Sequence, residues 1–177
     1  MIIRHGEKPE GKGSGIDAAG NPDTHSLTTR GWQRANGIAG LFAGPDGPRR
    51  PGLARPRTIF AAAANDKGEG TRTRETVGTL SKRLGVPVNS SFGKGDEAAL
   101  ARQAIAASKN GPVLISWQHG EIPAIAEAFD TVGPTPPASW PDSRYDMVWT
   151  LTDTGKGWRF SQVPEMVLPG DSGQTFR

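Results

Sequence analysis

Met1-Ile2-Ile3-Arg4-His5-Gly6-Glu7-Lys8-Pro9 opens the chain, and its reading decides the fold. Three apolar residues run straight into Arg-His-Gly. A buried strand is expected to end where a cation, an imidazole and a permissive backbone position meet. A second ending of this kind comes much later. Pro112-Val113-Leu114-Ile115-Ser116-Trp117 has the apolar character of a central parallel strand covered on both faces, and it delivers Gln118-His119-Gly120-Glu121. Ligands of open α/β sheets bind beyond the carboxyl ends of strands. His5 and His119 therefore mark a site.

Between these strands the pattern alternates. Residues 10–26 are rich in Gly, Asp, Asn and Pro without periodicity, and are expected to form a long functional or mobile loop. Leu27-Thr28-Thr29-Arg30-Gly31 opens a helical pattern with Ala35, Ile38 and Phe42 on one face and a capping Thr. Residues 44–56 form a Pro/Gly/Arg connector, and 57–61 a second strand. Thr71 is the expected cap of a helix carrying Val77, Leu80 and Leu84, closed by Gly85, and residues 86–88 begin an extended piece. A helix over 96–109 is expected to turn Ala98, Ala101 and Ile105 inward and to stop at Asn110-Gly111.

After the 112–117 strand, Ile122-Pro123 starts a helix through Phe129, with Pro in the first turn. Residues 132–142 read as a Pro-rich loop, and 147–151 and 158–163 as paired strands around the 154–157 turn. The tail after Pro169 is expected to fray. No repeat and no linker divides the chain, so residues 1–177 are read as a single domain. The fold class is α/β: a three-layer sandwich, mostly parallel, with helices on both faces of a central sheet and the last hairpin as its antiparallel part.

Bulk composition narrows the function. The 177 residues carry a net charge of only +3 with acids and bases interspersed, which suits a small anionic substrate and offers no footprint for nucleic acid. There are no cysteines, which removes disulfides, thiolate metal sites and Cys nucleophiles together. No apolar run approaches a membrane span and no signal-type segment precedes Arg4, so a cytoplasmic protein without a membrane partner is expected. The brevity of the strand before Arg4 also fits trimming of a longer precursor.

Arginine and histidine at strand ends suit phosphoryl chemistry. Charge spreads over the phosphoryl oxygens during transfer, and the arginine fork neutralises it with paired hydrogen bonds. A histidine whose second nitrogen is held by an acceptor can attack phosphorus through the neutral ring nitrogen.

Arg4-His5-Gly6-Glu7 after a strand resembles the signature of the histidine phosphatase (phosphoglycerate mutase-like) superfamily, and the resemblance spans nearly the whole chain. Leu27-Thr28-x-x-Gly31 with Gln33 and Ala35 resembles the start of that superfamily's first helix. Arg72-Thr73-Arg74-Glu75-Thr76-Val77 resembles its Arg-x-x-x-Thr, and the strand before His119-Gly120 its second histidine motif. Arg144-Tyr145-Asp146-Met147-Val148-Trp149 resembles a subgroup of uncharacterised members. The Ser that usually follows the second strand is replaced by Ala61 to Ala64 and a longer loop.

The resemblance implies that His5 is the catalytic nucleophile and that Arg4, Arg72 and His119 bind phosphate, with Arg74 as rival to Arg72. For the catalytic proton donor, Glu121 comes first, then Glu97, then Glu7. No cofactor and no metal are implied, because His25, the third histidine, lies in a loop where solvation is the ordinary state and no metal spacing exists. The tryptophans are read as core or loop packing, with substrate stacking by Trp140 as a minor alternative. The expected function is metal-independent hydrolysis of a phosphorylated small molecule through phosphohistidine. The alternatives are a phosphomutase, disfavoured by the short chain, and a catalytically weak phospho-ligand-binding protein.

Overall fold

A computed structural model of the chain describes residues 1–45, 47–48 and 50–177. Two residues of the connector read over 44–56, Asp46 and Arg49, lie outside the described residues. In chain order the elements are β1 (Ile2–Arg4), β2 (Gly15–Ile16), β3 (Pro22–Asp23), α1 (Thr29–Ala43), β4 (Thr58–Ala61), α2 (Thr71–Leu84), β5 (Val88–Asn89), α3 (Glu97–Ser108), β6 (Val113–Trp117), a 3₁₀ turn (His119–Glu121), α4 (Ile122–Glu127), β7 (Met147–Asp153) and β8 (Trp158–Pro164).

Six strands form one sheet in the order β5-β4-β6-β1-β7-β8. β6 lies between β4 and β1, parallel to both, and every one of its residues is buried. This is the environment its apolar sequence demands. β7 runs antiparallel to β1 and to β8, so the antiparallel part is the terminal hairpin, as predicted.

Side chains alternate faithfully across the sheet. Ile2, Phe60, Ile115, Trp117, Met147 and Trp149 face one way and meet Leu100, Ala101, Ile122 and Ile125 of α3 and α4. Ile3, Ile59, Leu114 and Val148 face the other way, onto Ile38 and Phe42 of α1 and Val77 and Leu80 of α2. Three layers result.

The helix ends show where local chemistry agreed with expectation and where it did not. Thr28 caps α1, its hydroxyl accepting from the Gly31 N–H. α2 is not capped by Thr71, which lies inside the helix. Its cap is Gly70, at φ 83° and so close to the Ala63 carbonyl that a Cβ has no room. Gly85, at φ 65°, ends α2 as predicted, its N–H reaching the Lys82 and Ser81 carbonyls.

Three other expectations are corrected. The inward face of α3 is Glu97, Leu100, Ala101 and Ala104, while Ala98 is exposed and Ile105 only partly buried. An Ala-rich helix has a weak apolar stripe, so its rotation was poorly specified. Residues 10–26 contain the small β2–β3 ribbon, too short to leave a periodic trace. The tail does not fray. Asp171 accepts from the Val167 and Leu168 N–H groups, the Ser172 N–H donates to Asp146 Oδ2 at 2.6 Å, and Phe176 stacks edge-on against Trp140 at 5.2 Å.

Candidate active site

Parallel pairing of β1 with β6 sets Arg4 opposite Trp117, so His5 and His119 leave the sheet at the same edge. The His5 N–H closes the pairing on the Trp117 carbonyl at 3.0 Å. The chain then passes under the start of α1. Gly6 and Gly31 touch backbone to backbone, and a Cβ on Gly6 would meet the Gly31 carbonyl at 2.9 Å. That contact explains Gly6 and pins the residue after His5, while a Cβ on Gly31 would meet the Glu7 carbonyl at 2.6 Å.

His5 is 6% exposed. Its Nδ1 lies 2.7 Å from the Gly6 carbonyl oxygen, which can only accept, so Nδ1 carries the proton and Nε2 keeps its lone pair. Burial lowers its pKa to about 3. The Gly6 bond opposes this, and the charges of Arg4, Arg72 and His119 reinforce it.

Arg4 is fully buried at the end of β1. Its Nη1 donates to the carbonyls of Asp142 at 2.5 Å and Arg144 at 3.0 Å, and its guanidinium lies 3.6 Å from the centre of the Tyr145 ring. Nε and Nη2 have no hydrogen-bond partner in the protein. A buried guanidinium with two donors free of hydrogen bonds, one of them 3.5 Å from the Asp142 carboxylate, is suited to an anion.

α2 supplies the second arginine. Arg72 is half-buried and Arg74, its rival, is exposed. Arg72 donates through Nη2 to Thr24 at 2.6 Å and through Nε to Ser26 at 3.3 Å, so the 10–26 loop fixes its head. Glu75 secures that loop in turn, accepting from the Ser26 hydroxyl at 2.7 Å and the Leu27 N–H at 2.9 Å. Burial pushes the Glu75 carboxyl up and the Arg72 guanidinium down. Thr76 couples the two halves: its hydroxyl accepts from the Gly6 N–H at 2.8 Å and donates to the Arg72 carbonyl at 2.7 Å.

His119 opens the 3₁₀ turn after β6 and is about one-quarter exposed, its Nε2 2.9 Å from Asp142 Oδ1. Burial lowers its pKa, Arg4 adds to this, and Asp142 opposes it.

The three carboxylates differ sharply. Glu7 is bound by Arg34 at 2.9 Å and Arg30 at 3.2 Å. Glu97 accepts from the Trp117 indole at 3.1 Å and the Gly95 N–H. Both serve the scaffold. Glu121 is half-buried in the same turn as His119, and its partner is the exposed Lys94 at 3.1 Å.

His5, Arg72, Gln118 and His25 line one small cavity of about 90 Å³. A larger one, about 380 Å³, lies at the opposite ends of the strands between Ala104, Val113, Phe129 and Trp158, away from every predicted site residue. Chemistry outweighs size here, because the small cavity holds the convergent polar groups. His25 is exposed, as read, yet it borders this cavity. Trp140 is buried between Trp149 and Phe176, so it is packing. Among the described residues, no cluster of three His, Asp or Glu side chains is arranged to hold a metal.

Tyr145, Thr76, Gln118 and Asp142 were missed as site residues. Tyr145, Thr76 and Gln118 lie within the motifs that carry the resemblance or beside His119, whereas Asp142 stands in a loop without pattern.

No family model matches the chain, and no curated protein matches it. Solved structures do. The protein histidine phosphatase SixA complexed with tungstate superposes with a TM-score of 0.55 at 15% identity, over 93% of this chain and 95% of that one. A mycobacterial hydrolase does so with a TM-score of 0.50 at 13% identity, over 91% of this chain and 94% of that one. The fold is that of the histidine phosphatases, as the Arg4-His5-Gly6 opening led us to expect.

Proposed function

We propose that this protein is a metal-independent phosphatase that hydrolyses a phosphomonoester through phosphohistidine on His5. The observation that carries the reading is the buried His5 with its proton on Nδ1, facing the same cavity as Arg72 beside a buried Arg4 with two donors free of hydrogen bonds. The tungstate held by SixA, a tetrahedral anion, is consistent with a phosphoryl group as the occupant of such a site.

The His5 Nε2 lone pair forms the bond to phosphorus as the ester P–O bond breaks. Arg4, Arg72 and His119 take up the charge on the phosphoryl oxygens, which is the main demand of this transfer. Glu121 gives its proton to the departing alkoxide, being the carboxylate of the three whose one charged partner, Lys94, is an exposed side chain. Water, deprotonated by the same carboxylate, then attacks phosphorus. The P–N bond breaks, phosphate leaves, and Nε2 regains its lone pair.

Hydrolysis of an aryl phosphate in excess chelator tests this. Activity should survive chelation, vanish in His5→Ala, and fall roughly 10²-fold or more in Arg72→Ala. Undiminished turnover by His5→Ala would sink the proposal.

A further inference from the structure

Two of the three donors assigned to the phosphoryl group, Arg4 and His119, are already in contact with an anion belonging to the protein. Asp142 Oδ1 lies 2.9 Å from His119 Nε2, 3.5 Å from Arg4 Nη2 and 4.0 Å from Lys8 Nζ. The side chain is 78% exposed. Its backbone is fixed: the Pro141, Asp142 and Arg144 carbonyls wrap Arg4 Nη1, and Trp140, buried just before, donates its indole N–H to the Arg144 carbonyl at 2.8 Å. A rigid main chain thus holds out a carboxylate that rotates into solvent without disturbing its neighbours.

We infer that the Asp142 carboxylate occupies the phosphoryl subsite of the free protein and is displaced by substrate, so that it sets the affinity and charge selectivity of the pocket. The inference rests on the anion pocket described under the proposed function. Entry of a phosphoryl group exchanges one anion for another on Arg4 and His119. A dianion with three oxygens competes well against a single carboxylate, and a monoanion poorly. The exchange thereby favours phosphomonoesters over phosphodiesters and carboxylates. Apparent affinity falls by the fraction of molecules whose pocket is open. The same placement argues against Asp142 as the acid, because its oxygen sits on the groups that bind the phosphoryl oxygens and not on a separate leaving-group position.

Tungstate binding by calorimetry on the full chain tests the gate, with wild type, Asp142→Asn and Asp142→Ala compared, together with kcat and KM for an aryl phosphate. Both variants should bind tungstate roughly three- to tenfold more tightly, with KM falling in parallel. Equal affinities in all three proteins would overturn the gate while leaving the pocket standing. So would a kcat loss of about 10²-fold at unchanged affinity, the mark of a proton donor. Absence of tungstate binding in all three would overturn the pocket and the gate together. Tighter binding by the variants with no turnover in any protein would support the gate and contradict the phosphatase reading alone.

Discussion

The Nδ1 of His5 lies 2.7 Å from the carbonyl oxygen of Gly6, its own neighbour in the chain. A nucleophilic histidine needs its proton parked on one nitrogen, and a main-chain acceptor does this without adding a negative charge nearby. Burial and the flanking cations keep the ring neutral.

His5 should therefore remain in the Nδ1–H form at every pH above about 4. An NMR titration of the imidazole nitrogens measures this directly, and a midpoint near the ordinary histidine value contradicts it. The sign for stability follows. The folded pKa, about 3, lies below the ordinary 6.5, so the contribution is complete above 6.5 and is lost as pH falls toward 3.

Thr76 acts through its neighbours. Its buried hydroxyl joins the Gly6 N–H to the Arg72 carbonyl, tying the turn after His5 to the helix that carries Arg72. Thr76→Val keeps the shape and orphans the Gly6 N–H, at a cost of about 1–3 kcal/mol. kcat should fall roughly tenfold for a displacement of this kind. Thr76→Ser should restore both stability and kcat, which a purely packing role would not produce.

Arg34, 2% exposed, gathers Glu7, Glu165 and Asp171 at 2.8 to 2.9 Å. Burial raises the Glu165 carboxyl to about 8 despite the attraction of Arg34. The folded pKa lies above the ordinary 4.5, so the native state holds a proton that the unfolded chain gives up. The Glu165 contribution to stability is complete below about 4.5 and is lost as pH rises through 8. Denaturation midpoints measured from pH 5 to 8 should decline less steeply in Glu165→Gln than in wild type; identical slopes contradict the assignment.

Phe176 should matter although it lies one residue from the end. It packs on Trp140 and Trp149, exchanges hydrogen bonds with Gln162, and stands 5.3 Å from the Arg144 guanidinium. The Arg144 carbonyl holds Arg4. Phe176→Ala is expected to lower stability by about 1–3 kcal/mol and to weaken tungstate binding as the 141–144 segment loosens. A change in neither, by denaturation and calorimetry, would show the tail to be passive.

The legible parts of the sequence were those where one residue type answers one physical demand. The apolar run of β6 announced a strand covered on both faces, and the two histidines beyond strand ends announced the site edge. Gly85 announced a helix end. Gly70 stayed hidden because its role depends on the Ala63 carbonyl, a contact no local pattern encodes. The ordered tail stayed hidden for the same reason: Asp171 and Phe176 are held by Arg34, Trp140 and Gln162, all distant in sequence. Asp142 is the sharpest case. A single acid in a Pro-rich loop carries no signal until the fold lays it on Arg4 and His119.

The central claim is the phosphohistidine, and the direct measurement is its capture. Wild type and His5→Ala are mixed with an aryl phosphate bearing labelled phosphorus, quenched in alkali, and digested for peptide mapping. An alkali-stable, acid-labile label is expected on the peptide containing His5, formed in excess chelator and absent from His5→Ala. Steady turnover by wild type with no label trapped at any quench time, or label retained in His5→Ala, would contradict it.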